Sequence, residues 1–461
     1  MRRSLLLLLL TGCAAFDCEE WTSNDPAPAA RSGVSMSVDV LEDKIRGGLL
    51  GQIFGNLNGL PHEFKYIAEP GQVERYVPSL PDGAYTDDDT DIEWVYLAEM
   101  AKTGELTLPP ARVAELWTSN MNDKIWCANL YARQLMDLGI RPPLTGRHAL
   151  NPWAHFNISA QFLSEAFGLV APGMPRAAAK LGAHYVHAAV DGEPVQTTQL
   201  FAGMIATAYF ETDVTKVVEA GRRMLDPKSA VGPIVDDVVG WWRESPEDWK
   251  ATRLKMKEKY TKHGGTMRDR NGYELNTAAI IGALLHGRGE FAETLRLAFN
   301  FGWDSDCNAA TCGAILGVMK GKRWMDERGW VAKDVYKNTC RPGMPKDETI
   351  TGYGDKLIAV ARRVILANGG TEANGQFRIA RQGPACVEPL EARPEVSPDG
   401  LPPAARGYVK LCRGETPAAE EVEALKTFPK LIREIYNAPH PTGAALQKAA
   451  KAAGIAPPPK N

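Results

Sequence analysis

Basic charge is in short supply. The 53 lysines and arginines stand against 56 aspartates and glutamates, a formal net charge of -3 spread along the chain. No surplus exists to neutralise a phosphate backbone, which argues against a nucleic-acid-binding role. No C-x-x-C or cysteine–histidine spacing of the zinc-finger type occurs, so the cysteines do not define the function. The leucine run at 5–10 is too short to cross a bilayer. No Ser-His-Asp arrangement, phosphate-cradling loop or dinucleotide fingerprint is present; the early glycines lie in a helical pattern with no strand before it. Alternating runs of strand type are scarce, and no fixed repeat marks a solenoid.

What is present is ordinary globular material: 461 residues, 44% hydrophobic and 24% charged. Arg2 and Arg3 precede the leucines, and Thr11, Gly12 and Cys13 follow. This reads as a secretory signal ending in a bacterial lipoprotein box. Cys13 is the expected lipidated residue, so residues 1–13 would be signal and the mature chain would be exported and anchored to a bacterial membrane. Setting Cys13 aside leaves Cys18, Cys127, Cys307, Cys312, Cys340, Cys386 and Cys412, an odd number, so one or more is free or pairs outside the chain. Residues 14–37 read as a flexible tether. Residues 38–369 form the expected main domain, with apolar spacing of three and four residues at 41–54, 92–100, 113–121, 125–138, 158–167, 177–190, 195–210, 231–242, 277–286, 291–299 and 309–319. The fold class is therefore all-α, a compact multi-helix bundle. Small residues on the helix faces, Gly47, Gly48, Gly51 and Gly55 among them, predict close helix approach. Residues 370–461 are expected to be an irregular appendage of unassigned role: a short strand at 376–379, one amphipathic helix at 417–437 and a mobile tail.

Three segments carry the chemistry. In Y-T-D-D-D-T-D-I-E-W (85–94), Asp87, Asp88, Asp89 and Asp91 crowd the start of an apolar helix. A helix N-terminus stabilises one or two acids by roughly 0.3–1 kcal/mol each, but not four; crowded carboxylates repel or take up protons unless a cation sits among them. In F-G-W-D-S-D-C-N-A-A-T (301–311), Asp304 and Asp306 again open an apolar helix. Either run alone reads equally well as an acidic helix cap. Together they predict buried carboxylates that need a partner, with no basic residue in either run. All-oxygen ligation selects a hard ion such as Mg²⁺, Mn²⁺ or Ca²⁺. The third segment is a glycine-rich helix leading to a loop with His62 and Glu63, the latter a candidate ligand or general base.

In this order the segments resemble the ADP-ribosylglycohydrolase family of the DraG type, over roughly residues 40–320. Gly55-Asn56-Leu57-Asn58-Gly59 stands at the family's G-D-x-x-G, Glu63 at its loop acid, Thr86-Asp87-Asp88 at its T-D-D-T and Asp304-Ser305-Asp306 at its G-D-T-D-T. The stretch at 166–175 adds to the likeness. The resemblance implies an all-α hydrolase with two Mg²⁺ ions: one held by Thr86, Asp87 and Asp88, the other by Asp304 and Glu63, with Asp306 bridging. Glu63 and Asp306 would be the catalytic residues, with Glu63 positioning or deprotonating the attacking water. The implied substrate is a small-molecule or protein-linked ribosyl group. Asn56 replaces the G-D aspartate, Cys307 the last threonine, and the additional aspartate leaves the register among Asp87, Asp88 and Asp89 open. Trp303 is expected to narrow the pocket or stack on a substrate ring. His155 reads as a packed histidine before it reads as a cleft residue; His184 and His187 share one helical face and read as structural or surface. A hydrolase of another glycoside or nucleoside, or a non-catalytic ligand-binding lipoprotein, are the rival readings.

Overall fold

A computed structural model describes residues 33–264 and 266–459. The signal segment, Cys13, Cys18 and most of the tether lie outside the described residues.

The architecture is all-α, as the periodicity predicts, and is organised around one helix pair. The opening helix, Val38–Gly59, starts where the Ser37 side chain accepts the Val40 N–H at 3.2 Å, an N-cap. It runs against the helix Ser305–Lys320, backbone on backbone. A Cβ on Gly51 would lie 2.1 Å from the Gly313 carbonyl oxygen, and one on Gly47 2.5 Å from that of Gly317. Gly313 and Gly317 thus supply the partner surface for the early glycines. The seam ends where Gly59 meets the backbone of Asp306. Both helices are buried on nearly every side, as is Tyr273–Gly287 behind them. The helix Asp88–Thr103 lies on Ile350–Ala367, where the Tyr353 hydroxyl donates to the Thr90 carbonyl at 2.9 Å.

Strands are few and short. Val34–Ser37 pairs antiparallel with Gln376–Ile379, which pairs with Thr371–Ala373. The expected tether therefore ends before Val34: its last four residues form a strand because Met36 is drawn inward beside Phe377. Two-residue ladders join Ser79–Leu80 to Val331–Ala332 and Ala84–Tyr85 to Tyr336–Lys337, tying the acid-rich turn to the segment after residue 330.

The C-terminal region also differs from expectation. The single helix at 417–437 is two, Ala419–Lys426 and Pro429–Asn437, because Pro429 cannot continue the first. Further helices form at Pro403–Cys412 and Ala444–Ala452, and Leu446, Ala450 and Ile455 are buried, so the stretch before residue 456 is packed, not a mobile tail. This region docks on the bundle: the Tyr408 and Tyr131 hydroxyls are 2.8 Å apart, and Arg147 donates to the Pro394 carbonyl at 2.7 Å. Among the described residues no helix is long and apolar enough to cross a membrane, and Cys127, Cys307, Cys312, Cys340, Cys386 and Cys412 are all free.

Candidate metal-binding active site

Three chain turns meet at the end of the glycine seam. The first helix gives way to a short turn, Leu60–His62, and then Glu63. Phe64, in the left-handed region at φ 52°, donates its N–H to the Trp303 carbonyl at 2.8 Å. Ser305 Oγ donates to the His62 carbonyl at 3.1 Å. These two links bring Glu63 against the start of the helix Ser305–Lys320. Asp304 sits at that helix's N-cap; its N–H donates to Asn276 Oδ1 at 3.1 Å, and its Oδ2 accepts from Asn271 Nδ2 at 2.7 Å. The acid-rich turn enters from the other side. Asn56 Nδ2 donates to Asp87 Oδ2 at 2.9 Å and to Asp89 Oδ2 at 2.5 Å. An ionised aspartate at position 56 has no N–H to give, so the asparagine here clamps two acids that an aspartate would repel.

The acids converge. One carboxylate oxygen each from Glu63, Asp304 and Asp306 lie within 4.8 Å of one another. Asp89, Asp306 and Cys307 form a second such group, so Asp306 belongs to both. The Cys307 thiol donates to Asp89 Oδ1 at 2.8 Å. Asp87 and Asp88 line the same cleft as Glu63, Asp304, Asp306 and Cys307, a space of about 340 Å³. The four aspartates of the acidic run thus divide into three roles. Asp87 and Asp88 face the cleft, Asp89 lies beneath it, and Asp91 is turned away onto Arg341, an ion pair at 2.8 Å with both side chains 0% exposed. Thr86 is not a cleft residue: its hydroxyl accepts the Thr339 N–H at 2.8 Å and lies 2.8 Å from Thr339 Oγ1.

So many acids in so little water cannot all ionise unaided. Burial first, then Asp304 and Asp87, pushes Glu63 up to about 7. Burial, then neighbouring carboxylates, raises Asp88, Asp89 and Asp306 well above the usual range. Among the described residues none of Glu63, Asp87, Asp88, Asp89, Asp304 and Asp306 forms a salt bridge. Asp304 Oδ1 and Asp306 Oδ1 are buried with no hydrogen-bond partner. Orphaned buried carboxylate oxygens are costly unless a cation meets them. The donor set therefore fits divalent ions: oxygens for a hard ion, with one sulfur at the edge.

Several cleft residues carried no signal in the sequence. Trp126, 53% exposed, stands at the cleft immediately before the helix Cys127–Asp137, within a stretch whose periodicity reads as helix from 125. Asn157, Asn271 and Met267 line the cleft as well. Trp303 does not reach the cleft; it is 1% exposed, with the Arg253 guanidinium 3.8 Å over its ring. His155 also stays out, its Nε2 3.3 Å from Arg268 Nη1. His184 holds the Leu108 carbonyl at 2.9 Å. His187 lies between two acids, Asp191 at 3.9 Å and Glu388 at 3.2 Å, and so helps fasten the segment after residue 380.

The ADP-ribosylglycohydrolase family description matches residues 37–365, most of the chain, and takes in every acid of the centre. The chain belongs to that family, a family of glycosyl hydrolases. Among solved structures, a chain of an "ADP-ribosylglycohydrolase-related protein complex" is similar at 18% identity and a TM-score of 0.44, covering 71% of this chain and 99% of that one. No curated protein matches.

Proposed function

We propose that the protein hydrolyses the bond between the anomeric carbon of an ADP-ribosyl or related ribosyl group and its aglycone, as a DraG-type N- or O-glycosyl hydrolase dependent on divalent cations, Mg²⁺ foremost. The observation that carries this reading is the pair of buried, unpartnered oxygens on Asp304 and Asp306, gathered with Glu63 beside a cleft of about 340 Å³. Asp87 and Asp88 would hold one ion, and Glu63, Asp304 and Asp306 the other, with Asp306 shared; Thr86 fixes the turn through Thr339. Bound there, the two cations would offset part of the charge of the acids and orient the ribose hydroxyls and a water.

The chain's own groups do the rest. Glu63, half-buried at the cleft, holds the attacking water and accepts its proton on a carboxylate oxygen. Asp87, Asp88 and Asp304 place negative charge around a sugar that becomes oxocarbenium-like as the aglycone departs. Asn271 and Asn276 keep Asp304 in its orientation. The apolar walls, Leu60, Phe64, Phe162 and Trp126, exclude bulk water and strengthen these interactions. The leader ending at Cys13 supports placing this activity at an exported, membrane-anchored site.

The test is incubation of the protein with Mg²⁺ and a panel of ADP-ribosyl conjugates and nucleosides. Release of ADP-ribose or ribose, abolished in Asp306→Ala, supports the assignment. Saturable binding without product would instead make the protein a ligand-binding module.

A further inference from the structure

We infer that the inner part of this centre is a mixed sulfur–oxygen site, in which Cys307, Asp89 and Asp306 take a thiophilic divalent ion of the Zn²⁺ or Co²⁺ kind in preference to Mg²⁺. The inference rests on the metal centre proposed above but not on the reaction assigned to it.

Two different donor sets share Asp306. Glu63, Asp304 and Asp306 offer only oxygen, the choice of a hard ion. The second group replaces one oxygen by the Cys307 sulfur, and soft thiolate ligation shifts selection toward zinc-like ions. Bonds of about 2.3 Å to sulfur and about 2.0–2.2 Å to carboxylate oxygen at a tetrahedral angle set sulfur and oxygen about 3.6 Å apart; Cys307 Sγ and Asp89 Oδ1, now 2.8 Å apart, need part only slightly, and all three donors already lie within 4.8 Å of one another. The site is enclosed: Cys307 is 5% exposed, Asp89 0% and Asp306 4%. Independently of the cysteine, Asp306 Oδ1 is buried with no partner. Asp89 is held from behind by Asn56 on Oδ2, which leaves Oδ1 facing the thiol. On binding, the S–H bond breaks and a sulfur–metal bond forms; the thiol proton, now donated to Asp89, leaves to solvent, with no change of oxidation state. With Asp306 common to both donor sets, the thiophilic ion would take the place of the ion assigned above to Asp87 and Asp88, beside the hard ion of Glu63 and Asp304.

The full chain, stripped of metal by dialysis against chelator, is titrated with Co²⁺ and followed for the near-ultraviolet sulfur-to-cobalt charge-transfer band. Cys307→Ser and Cys307→Thr are treated alike, with circular dichroism to establish that they fold. The expected result is a band that saturates at one ion per chain and is absent from both variants. Their Zn²⁺ affinity should fall by more than the roughly 10–100-fold that loss of an outer-shell partner costs, while their Mg²⁺ affinity holds. Co²⁺ binding without the band, or a band that survives Cys307→Ser, overturns the inference and leaves the proposed hydrolase standing. Failure to bind either Co²⁺ or Mg²⁺ overturns both.

Discussion

Replacing Gly55 by alanine tests how the fold sets up the site. A Cβ at this position would sit 2.1 Å from the Ala309 carbonyl oxygen, 2.3 Å from its carbon and 2.5 Å from the Ala310 nitrogen. All three are backbone atoms of a buried helix, so no side chain can swing aside. Since ordinary contact begins at 3.4 Å, the two helices must part by more than 1 Å locally. The substitution gains about 1 kcal/mol of helix propensity, whereas overpacking a core costs about 1–3 kcal/mol. Parting the helices also opens gaps along the Gly47 and Gly51 contacts, so the cost prevails and the net change is a loss of about 1–2 kcal/mol. Gly240, in the helix Val231–Glu244, is the control: nothing lies within 4 Å of its Cβ position. Gly240→Ala should therefore stabilise by about 0.5–1 kcal/mol. Urea denaturation followed by circular dichroism reads both. Because Asn56, which holds Asp87 and Asp89, and Gly59, which meets Asp306, follow directly on the strained point, Gly55→Ala should also weaken cation binding, measured by calorimetry. If Gly55→Ala stabilises the protein as much as Gly240→Ala, the backbone seam is not what joins the two halves of the site.

Asp306→Asn should abolish cation binding and turnover yet raise the melting temperature of the metal-free protein, because it removes one of several crowded carboxylates; a fall in the metal-free Tm would contradict the electrostatic reading. The pH dependence has a definite sign. Glu63, and Glu93 buried in the helix Asp88–Thr103 where it accepts from Gln52 Nε2 at 3.0 Å, are raised chiefly by burial from 4.5 to about 7 and about 8, so the stability they confer is full below about pH 4.5 and lost as pH rises through those values. Above the ordinary histidine range, from about pH 6.5 to about pH 8.5, the metal-free Tm should fall, and saturating Mg²⁺ should flatten the slope; differential scanning fluorimetry decides. Arg341→Met leaves Asp91 buried without its partner and should cost about 3–5 kcal/mol in urea denaturation, with Asp91→Asn in the same chain restoring part of the loss.

Much of this was legible in the residues because helix periodicity and acid clustering are local signals. The 3–4 spacing located the buried helices, and the glycines at 47, 48, 51 and 55 announced a close contact, though not that Gly313 and Gly317 would receive it. The short ladders at 79–85 and 331–337 have no periodicity to read in two residues, yet they carry Arg341 to Asp91. That long-range pairing is why four aspartates within five positions do not act as one group. Asp89 was an open alternative until Asn56 and Cys307 were seen to hold it on both sides. Trp303 misled because a tryptophan beside two ligands suggests a cleft wall. Its φ of 58° instead turns the ring inward beneath Arg253. Pro429 was visible, but an amphipathic pattern that resumes after it hid the break.

Crystals of the full chain soaked in Mn²⁺ and measured at the manganese edge test the central claim most directly. The account predicts an anomalous peak among the carboxylates of Glu63, Asp304 and Asp306, and loss of that peak in Asp306→Asn. A map with no peak there, while manganese collects on exposed surface acids, would contradict it.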